Sequence, residues 1–418
     1  MATDFFTVNG MRVANIKNES PNAFFGIAVI AGSNYEDMCI AGISHFAEHM
    51  VFKGTKNRTW KDINRYFARI GADNNAYTSN SEVVYYTTVP KENIEKAIDI
   101  MLDMFFNSTF PQYEFDKEKN VIVEEKKMYE DDPYWAFQSE VSKNFFVWEK
   151  GHDPIGEFDT INSITRESLM RYFEDKTNKE NVVFICSGDI DSDDLKSYLD
   201  QHMPNEGHPY IRNGSRNVVS DQYWSDIVEK DVDIHLTVKR DNIMQSQVKL
   251  LSRGYSVCSD KYEPSAVIIN ALGGGSHSRL FERIREELGL CYSIHMNNSA
   301  IAYPDYTVTT ISGYTSEDNI PRFMEETEDI IEHIKREGLD KDLFECAKTD
   351  ILSTVLRQTE TSKVKASFLT KRYLFTDDRI SFEDAILRIS NITLDDCNNI
   401  MYEMFCSPRY WAVMSPKT

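Results

Sequence analysis

The chain starts again at its midpoint. Lys91-Glu92-Asn93-Ile94 leads into a long amphipathic stretch, and Glu317-Asp318-Asn319-Ile320 leads into another 226 residues later. The apolar strand around residue 25 has a counterpart in Ser246 to Leu251, followed by a helical segment from Glu263 to Leu272. Between the halves, Pro204 to Asp221 is rich in Pro, Gly, Asn and Ser and lacks periodicity, as interdomain linkers do. The four-residue match is weak alone. With the similar order of elements, it points to two related domains rather than three unrelated ones: 1–203, a linker over 204–226, and 227–418.

Local patterns set the class. Phe5 to Val8 and Met11 to Asn15 flank Asn9-Gly10, a hairpin signal. Ala23 to Ala31, Val83 to Val89 and Asn181 to Ser187 are apolar or β-branched runs of strand length. Helical periodicity covers about Ile40 to Phe52, Lys91 to Phe106 and Tyr113 to Tyr129, the last stopped by Asp131-Asp132-Pro133. The mixture is α+β.

Composition excludes several functions. A net charge of −21 repels nucleic acid and anionic membranes. The longest apolar run, Ala23 to Gly32, is well short of the ~18 residues a membrane span needs, and the first residues do not form a signal peptide. The seven Cys are scattered, with no CxxC pair, which argues against a disulfide framework or a Cys-based zinc knuckle. A soluble cytoplasmic protein is expected.

His45-Phe46-Ala47-Glu48-His49 carries the chemistry. On a helix, His45 and His49 lie one turn apart on one face with Glu48 between them. Two imidazoles so spaced can bind one Zn²⁺, leaving the carboxylate to take a proton from water. Ile43, Phe46, Ala47 and Met50 form an opposite stripe for the core, and Lys53-Gly54 supplies a last-turn cation and a terminator. The bland alternative is two ordinary histidines. Gly273-Gly274-Gly275 lacks a following Lys-Ser/Thr and reads as a loop rather than a phosphate cradle.

The segment from His45 to Thr55 resembles the signature of the pitrilysin/insulinase metallopeptidases, zincins with an inverted HxxEH. The branch it is most similar to holds mitochondrial processing peptidase β-subunits and bacterial half-length peptidases. The resemblance implies a third zinc ligand about 76 residues after the second His, which is Glu125, and a functional Glu seven residues before that, which is Glu118. It implies a substrate-pairing edge strand at Asn75-Ala76-Tyr77-Thr78-Ser79. It also makes Arg285 and Tyr292, within Arg285-Glu286-Glu287-Leu288-Gly289-Leu290-Cys291-Tyr292, groups that reach the substrate.

The expectation from this resemblance is a processing-peptidase-like fold: two homologous domains, each a largely antiparallel sheet flanked by helices. Function would be zinc-dependent cleavage of unfolded or short peptides inside a chamber, with one Zn²⁺ per chain. Glu48 would be the general base on zinc-bound water, and Glu118, Arg285 and Tyr292 would assist. Family chambers contain four such domains. Zinc and Arg/Tyr sets occur together here, which favours a homodimer over a heterodimer. The rival is a catalytically silent binding or assembly subunit, which typically lacks the metal motif.

Overall fold

Asn9 and Gly10 turn the first hairpin with φ of 48° and 78°, the two positive values a type I′ turn requires and Asn and Gly tolerate. The turn joins β1 (Ala2–Val8) to β2 (Met11–Lys17). In this computed structural model, which describes residues 2–147, 150–204, 208, 210–218, 234–358 and 361–417, the hairpin opens a six-stranded sheet. The other strands are β3 (Asn22–Ile30), β4 (Asp73–Thr78), β5 (Glu82–Pro90) and β6 (Val182–Gly188), in the order β1-β2-β6-β3-β5-β4. β2 and β6 run parallel; every other pair is antiparallel.

A second sheet comprises β7 (Ile234–Arg240), β8 (Ser246–Arg253), β9 (Cys291–Ala302), β10 (Tyr306–Thr315) and β11 (Arg409–Pro416), ordered β7-β11-β8-β10-β9. Here too one pair, β7 with β11, is parallel and three are antiparallel. Strand for strand, β2, β6, β3, β5 and β4 correspond to β7, β11, β8, β10 and β9. After β5 the turn Lys91–Asn93 enters the helix Ile94–Asn107, and after β10 the turn Glu317–Asn319 enters the helix Ile320–Glu337. The sequence repeat is thus a repeat of topology, and the α+β class with two domains holds.

The two units are not separated by a single cut. One comprises Met1–Glu130, His152–Asp221 and Gln358–Glu383; the other comprises Asp131–Gly151, Gln222–Arg357 and Asp384–Thr418. The sequence reading puts residues 131–151 in the first domain and 358–383 in the second, and the structure places each with the opposite sheet. The reason is that each sheet needs both faces covered. In the first unit Tyr85 packs on Phe105 of the 94–107 helix, whereas Tyr86, pointing to the other face, accepts from Lys363 of the helix Ser362–Thr376. That helix buries Ser362, Ala366, Leu369, Thr370, Tyr373 and Leu374 against β3 and β6. Lys371 reaches the fully buried Glu82 at 2.9 Å, and Arg12 donates to the carbonyls of Tyr373 and Leu374. In the second unit, the helix Pro133–Phe145 packs on β7 and β11, with Phe145 against Tyr410. Much of the expected linker lies outside the described residues. Its 210–218 portion belongs to the first unit, where Ile211 is buried and Asn217 donates to the carbonyl of Ile30.

In the second unit Lys249 lies under the 133–145 helix, over the Phe137 ring and bonded to Gln138. Burial holds its pKa down to about 8. Between that value and the unfolded value near 10.5, the unfolded chain binds more protons, so Lys249 makes stability rise with pH across this window. Melting curves should therefore show wild type gaining on Lys249→Met by up to about 3 kcal/mol between pH 7.5 and 10.5. A constant difference between the two proteins would contradict the burial argument.

Candidate metal centre

A buried carboxylate sets the start of the helix Ile43–Val51. Glu36 accepts from the N–H groups of Gly42 and Ser44, each at 2.8 Å, and lies 3.1 Å from His152 Nε2. Two N–H groups at the helix start, which lack partners within the helix, are thus satisfied by a negative group at the positive end of the dipole. Gly42 takes φ of 95°, and a Cβ there would sit 2.4 Å from the Ile155 carbonyl oxygen. This bend separates the helix from the short turn Met38–Ile40, so the helical segment expected from Ile40 begins at Ile43. Ile43, Phe46, Ala47 and Met50 are buried as their spacing predicts, and His45, Glu48 and His49 are half-buried on the remaining face.

The helix Gln112–Asp131 brings in the distant carboxylates. Phe115 stacks on Phe46 at 4.7 Å with an interplanar angle of 9°. One turn beyond, Glu118 Oε1 lies 2.9 Å from His49 Nδ1, and two turns further Glu125 Oε2 lies 3.5 Å from His49 Nε2 and 3.8 Å from His45 Nε2. Ligating atoms of His45, His49 and Glu125 all lie within 4.8 Å of one another. Among the described residues no second group of His, Cys, Asp or Glu converges in this way.

Burial, with the neighbouring His49 adding to it, pushes the His45 pKa down to about 3, so its lone pair is available. Burial also opposes charge on His49, but its hydrogen bond to Glu118 and the surrounding carboxylates outweigh that and raise its pKa. For Glu118, burial is outweighed by hydrogen bonds to His49 and Lys53, which lower its pKa. Two imidazoles and one carboxylate, with a carboxylate behind one imidazole, form a donor set that fits zinc. His45, His49 and Glu125 could hold the ion, and Glu118 orients His49.

Glu48 points to β4. Its Oε2 accepts from Thr78 Oγ1 at 2.5 Å, and burial is the main cause that raises its pKa. Asn75, Ala76 and Tyr77 lie on this strand, whose outer edge pairs with no strand among the described residues. Neither Thr78 nor Tyr129, whose hydroxyl lies 3.3 Å from Glu125 Oε1, was singled out as a site residue by sequence reasoning. Thr78 lay within the expected edge strand without being assigned a role of its own, and Tyr129 followed Glu125 by one turn, so proximity in sequence was the available signal.

Residues 12–153 match the insulinase domain of peptidase family M16, and residues 163–351 match the domain described as the peptidase M16 inactive domain. A Bacillus subtilis protein named uncharacterized zinc protease YmxG is 30% identical over 98% of this chain and 97% of its own length. The chain belongs to the M16 (insulinase) peptidase family. A Rickettsia felis protein, also named an uncharacterized zinc protease, is 30% identical over 92% of this chain and 90% of its own length. Crystal structures of a Helicobacter pylori protease (TM-score 0.87, 18% identity, 99% of both chains) and a Pseudomonas fluorescens M16 inactive-domain protein (0.86, 17%, 100% and 98%) share the fold.

The second unit of this M16 chain carries the other expected residues. Arg285 sits on a π-helical segment, Phe281–Glu287, and Tyr292 on β9, separated by Gly289 at φ of 62°. The Arg285 guanidinium lies over Phe281 at 4.4 Å and Tyr292 at 5.4 Å. Phe281 is therefore a further member of this group. Tyr292 is 77% exposed and Arg285 is partly so, which suits ligand contact better than a packing role.

Metal analysis after zinc loading and dialysis should find one zinc per wild-type chain. Ala at His45, His49 or Glu125 should remove it. Full zinc content in any of the three variants would reassign the ligand set.

Proposed function

We propose that this M16 chain is a zinc-dependent endopeptidase acting on flexible peptides in the cytoplasm. The observation that carries the reading is the convergence of His45, His49 and Glu125 beside Glu48, whose carboxylate is already aimed by Thr78. Zinc held there would supply Lewis acidity, acidifying water and drawing charge from a peptide carbonyl.

The remaining work falls to the chain itself. Glu48 takes a proton at Oε1 or Oε2 from the attacking water and delivers it to the leaving amine. Burial raises its pKa, which brings its proton affinity closer to that needed for both transfers. The edge of β4, unpaired among the described residues, offers backbone groups to an extended substrate, so Asn75, Ala76 and Tyr77 bind by strand addition with broad sequence tolerance. Tyr292 donates its hydroxyl to the developing oxyanion and Arg285 orients it. The silent-subunit alternative is weakened by retention of all three ligands and Glu48.

Assembly follows from the same reading. Family-like chambers need four domains, and this chain has two, so we propose a homodimer that admits unfolded or short peptides and excludes folded proteins. Light scattering should give twice the 48.4 kDa chain mass. A fully active monomer would refute the assembly.

Hydrolysis of a quenched peptide library tests the chemistry. Glu48→Gln should keep zinc and lose activity, because the amide cannot accept the proton. Tyr292→Phe should keep zinc and lower kcat roughly 10- to 1000-fold, the range for loss of an oxyanion donor. Wild-type turnover by Glu48→Gln, or turnover unaffected by a chelator, would overturn the proposal.

A further inference from the structure

Lys53 enters the sequence pattern as part of the His45 to Thr55 segment and as the cation closing the His45 helix, yet its ammonium does something more specific. It lies 2.6 Å from Glu118 Oε2, while Glu118 Oε1 is engaged by His49 Nδ1 at 2.9 Å. Each oxygen of this carboxylate therefore has its own partner. The Glu118 side chain is only 7% exposed, so water cannot readily replace a partner that is lost. His49 in turn presents Nε2 towards Glu125 Oε2 at 3.5 Å.

The base from which Lys53 reaches is also fixed. Its N–H bonds the Met50 carbonyl at 3.1 Å, and Gly54 pairs with Thr59 in a β-bridge. The loop between them is tied to the buried Asp103 by Thr55 Oγ1 at 2.8 Å and by Asn57 Nδ2 and Arg58 NH1 at 2.6 Å each. Helix end and anchored loop hold the Lys53 backbone from both sides. A lysine needed only to complement the helix dipole would not require that anchorage, nor a buried carboxylate as its target.

We propose that Lys53 is a positioning residue for the metal centre. By occupying Oε2 it prevents the Glu118 carboxylate from rotating about its terminal bond, and Glu118 thereby holds the His49 ring with Nε2 facing Glu125. The chain of contacts runs Lys53, Glu118, His49, and acts on the metal only through its last member. This inference rests on the metal-site reading given above.

The test is zinc affinity, measured by competition with a chromophoric chelator on the full-length chain. Five proteins are compared: wild type, Lys53→Met, Lys53→Arg, Glu118→Gln and the Lys53→Met/Glu118→Gln double variant. Lys53→Met should bind zinc roughly 10- to 100-fold more weakly, the range typical for losing a group that orients a ligand. Lys53→Arg, which keeps the charge and the donors, should recover most of that loss. The double variant should be no weaker than Glu118→Gln alone, because Lys53 has no other route to the metal. Zinc affinity of Lys53→Met equal to wild type, or losses that add in the double variant, would overturn the positioning role while leaving the metal site intact. A wild-type chain that binds no zinc would overturn the metal reading and this inference with it.

Discussion

The site depends on one packing contact between two helices far apart in sequence. Phe46 and Phe115 stack face to face in the core, fixing how the 43–51 helix and the 112–131 helix slide and rotate against one another. All the metal-directed distances inherit that register. His45 and His49 point away from the stack on one helix, and Glu118 and Glu125 lie one and three turns beyond it on the other. An α-helix rises ~5.4 Å per turn, so slippage by even one turn would carry Glu125 away from the imidazole pair and bring Val121 or Ile122 towards it instead. Close packing of fully buried rings makes such slippage costly, since interiors lack the free volume for it.

Around this apolar contact the protein buries several charged groups. Glu36 closes the start of the His45 helix, Glu118 sits behind His49, and Lys126 lies inside a ring of Glu130, Asp153 and Glu157 at 3.5–3.7 Å. Buried ions rarely add net stability compared with apolar packing of equal volume, because desolvation offsets most of the attraction. Their value here is geometric. Each one holds a helix end or an imidazole in a single orientation, and a site for a metal ion requires orientation more than it requires stability.

What could be read from the sequence follows from how far each signal travels. The His45/His49 pairing and the apolar stripe opposite are local, set by 3.6 residues per turn, and were fully legible. Glu125 and Glu118 were legible only through resemblance, because no periodicity links a helix at 112 to one at 43. Thr78, Tyr129 and Phe281 lay within or beside the motifs, but nothing in a one-dimensional pattern says which neighbour a side chain will touch. The exchange of the helices at 133–145 and 362–376 was invisible for the same reason: amphipathic spacing shows that a helix will cover a sheet, not which sheet. Lys53 is the sharpest case. Its local role at a helix end was apparent, and its partner 65 residues away was not.

The repeat explains why, among the described residues, one group of potential metal ligands converges and not two. In both units the chemistry-bearing segment lies between the third strand of the shared topology and its edge strand. In the first unit that is β3 to β4, with the His45 helix between. In the second it is β8 to β9, with the helix Tyr262–Gly273 and the Arg285 segment between. The 43–51 helix keeps a half-buried face for His45, Glu48 and His49. Its counterpart buries Pro264, Ser265, Val267, Ile268, Ile269, Ala271, Leu272 and Gly273, so almost its whole circumference is core and no face is left for paired ligands. With so little of that helix exposed, the expected polar residues of the second unit lie further along, where the π-helical turn and Gly289 leave Arg285 and Tyr292 accessible at the start of β9. The two halves therefore present different side chains along one shared topology, His45, Glu48 and His49 from a helix in the first and Arg285 and Tyr292 from the segment before and into β9 in the second.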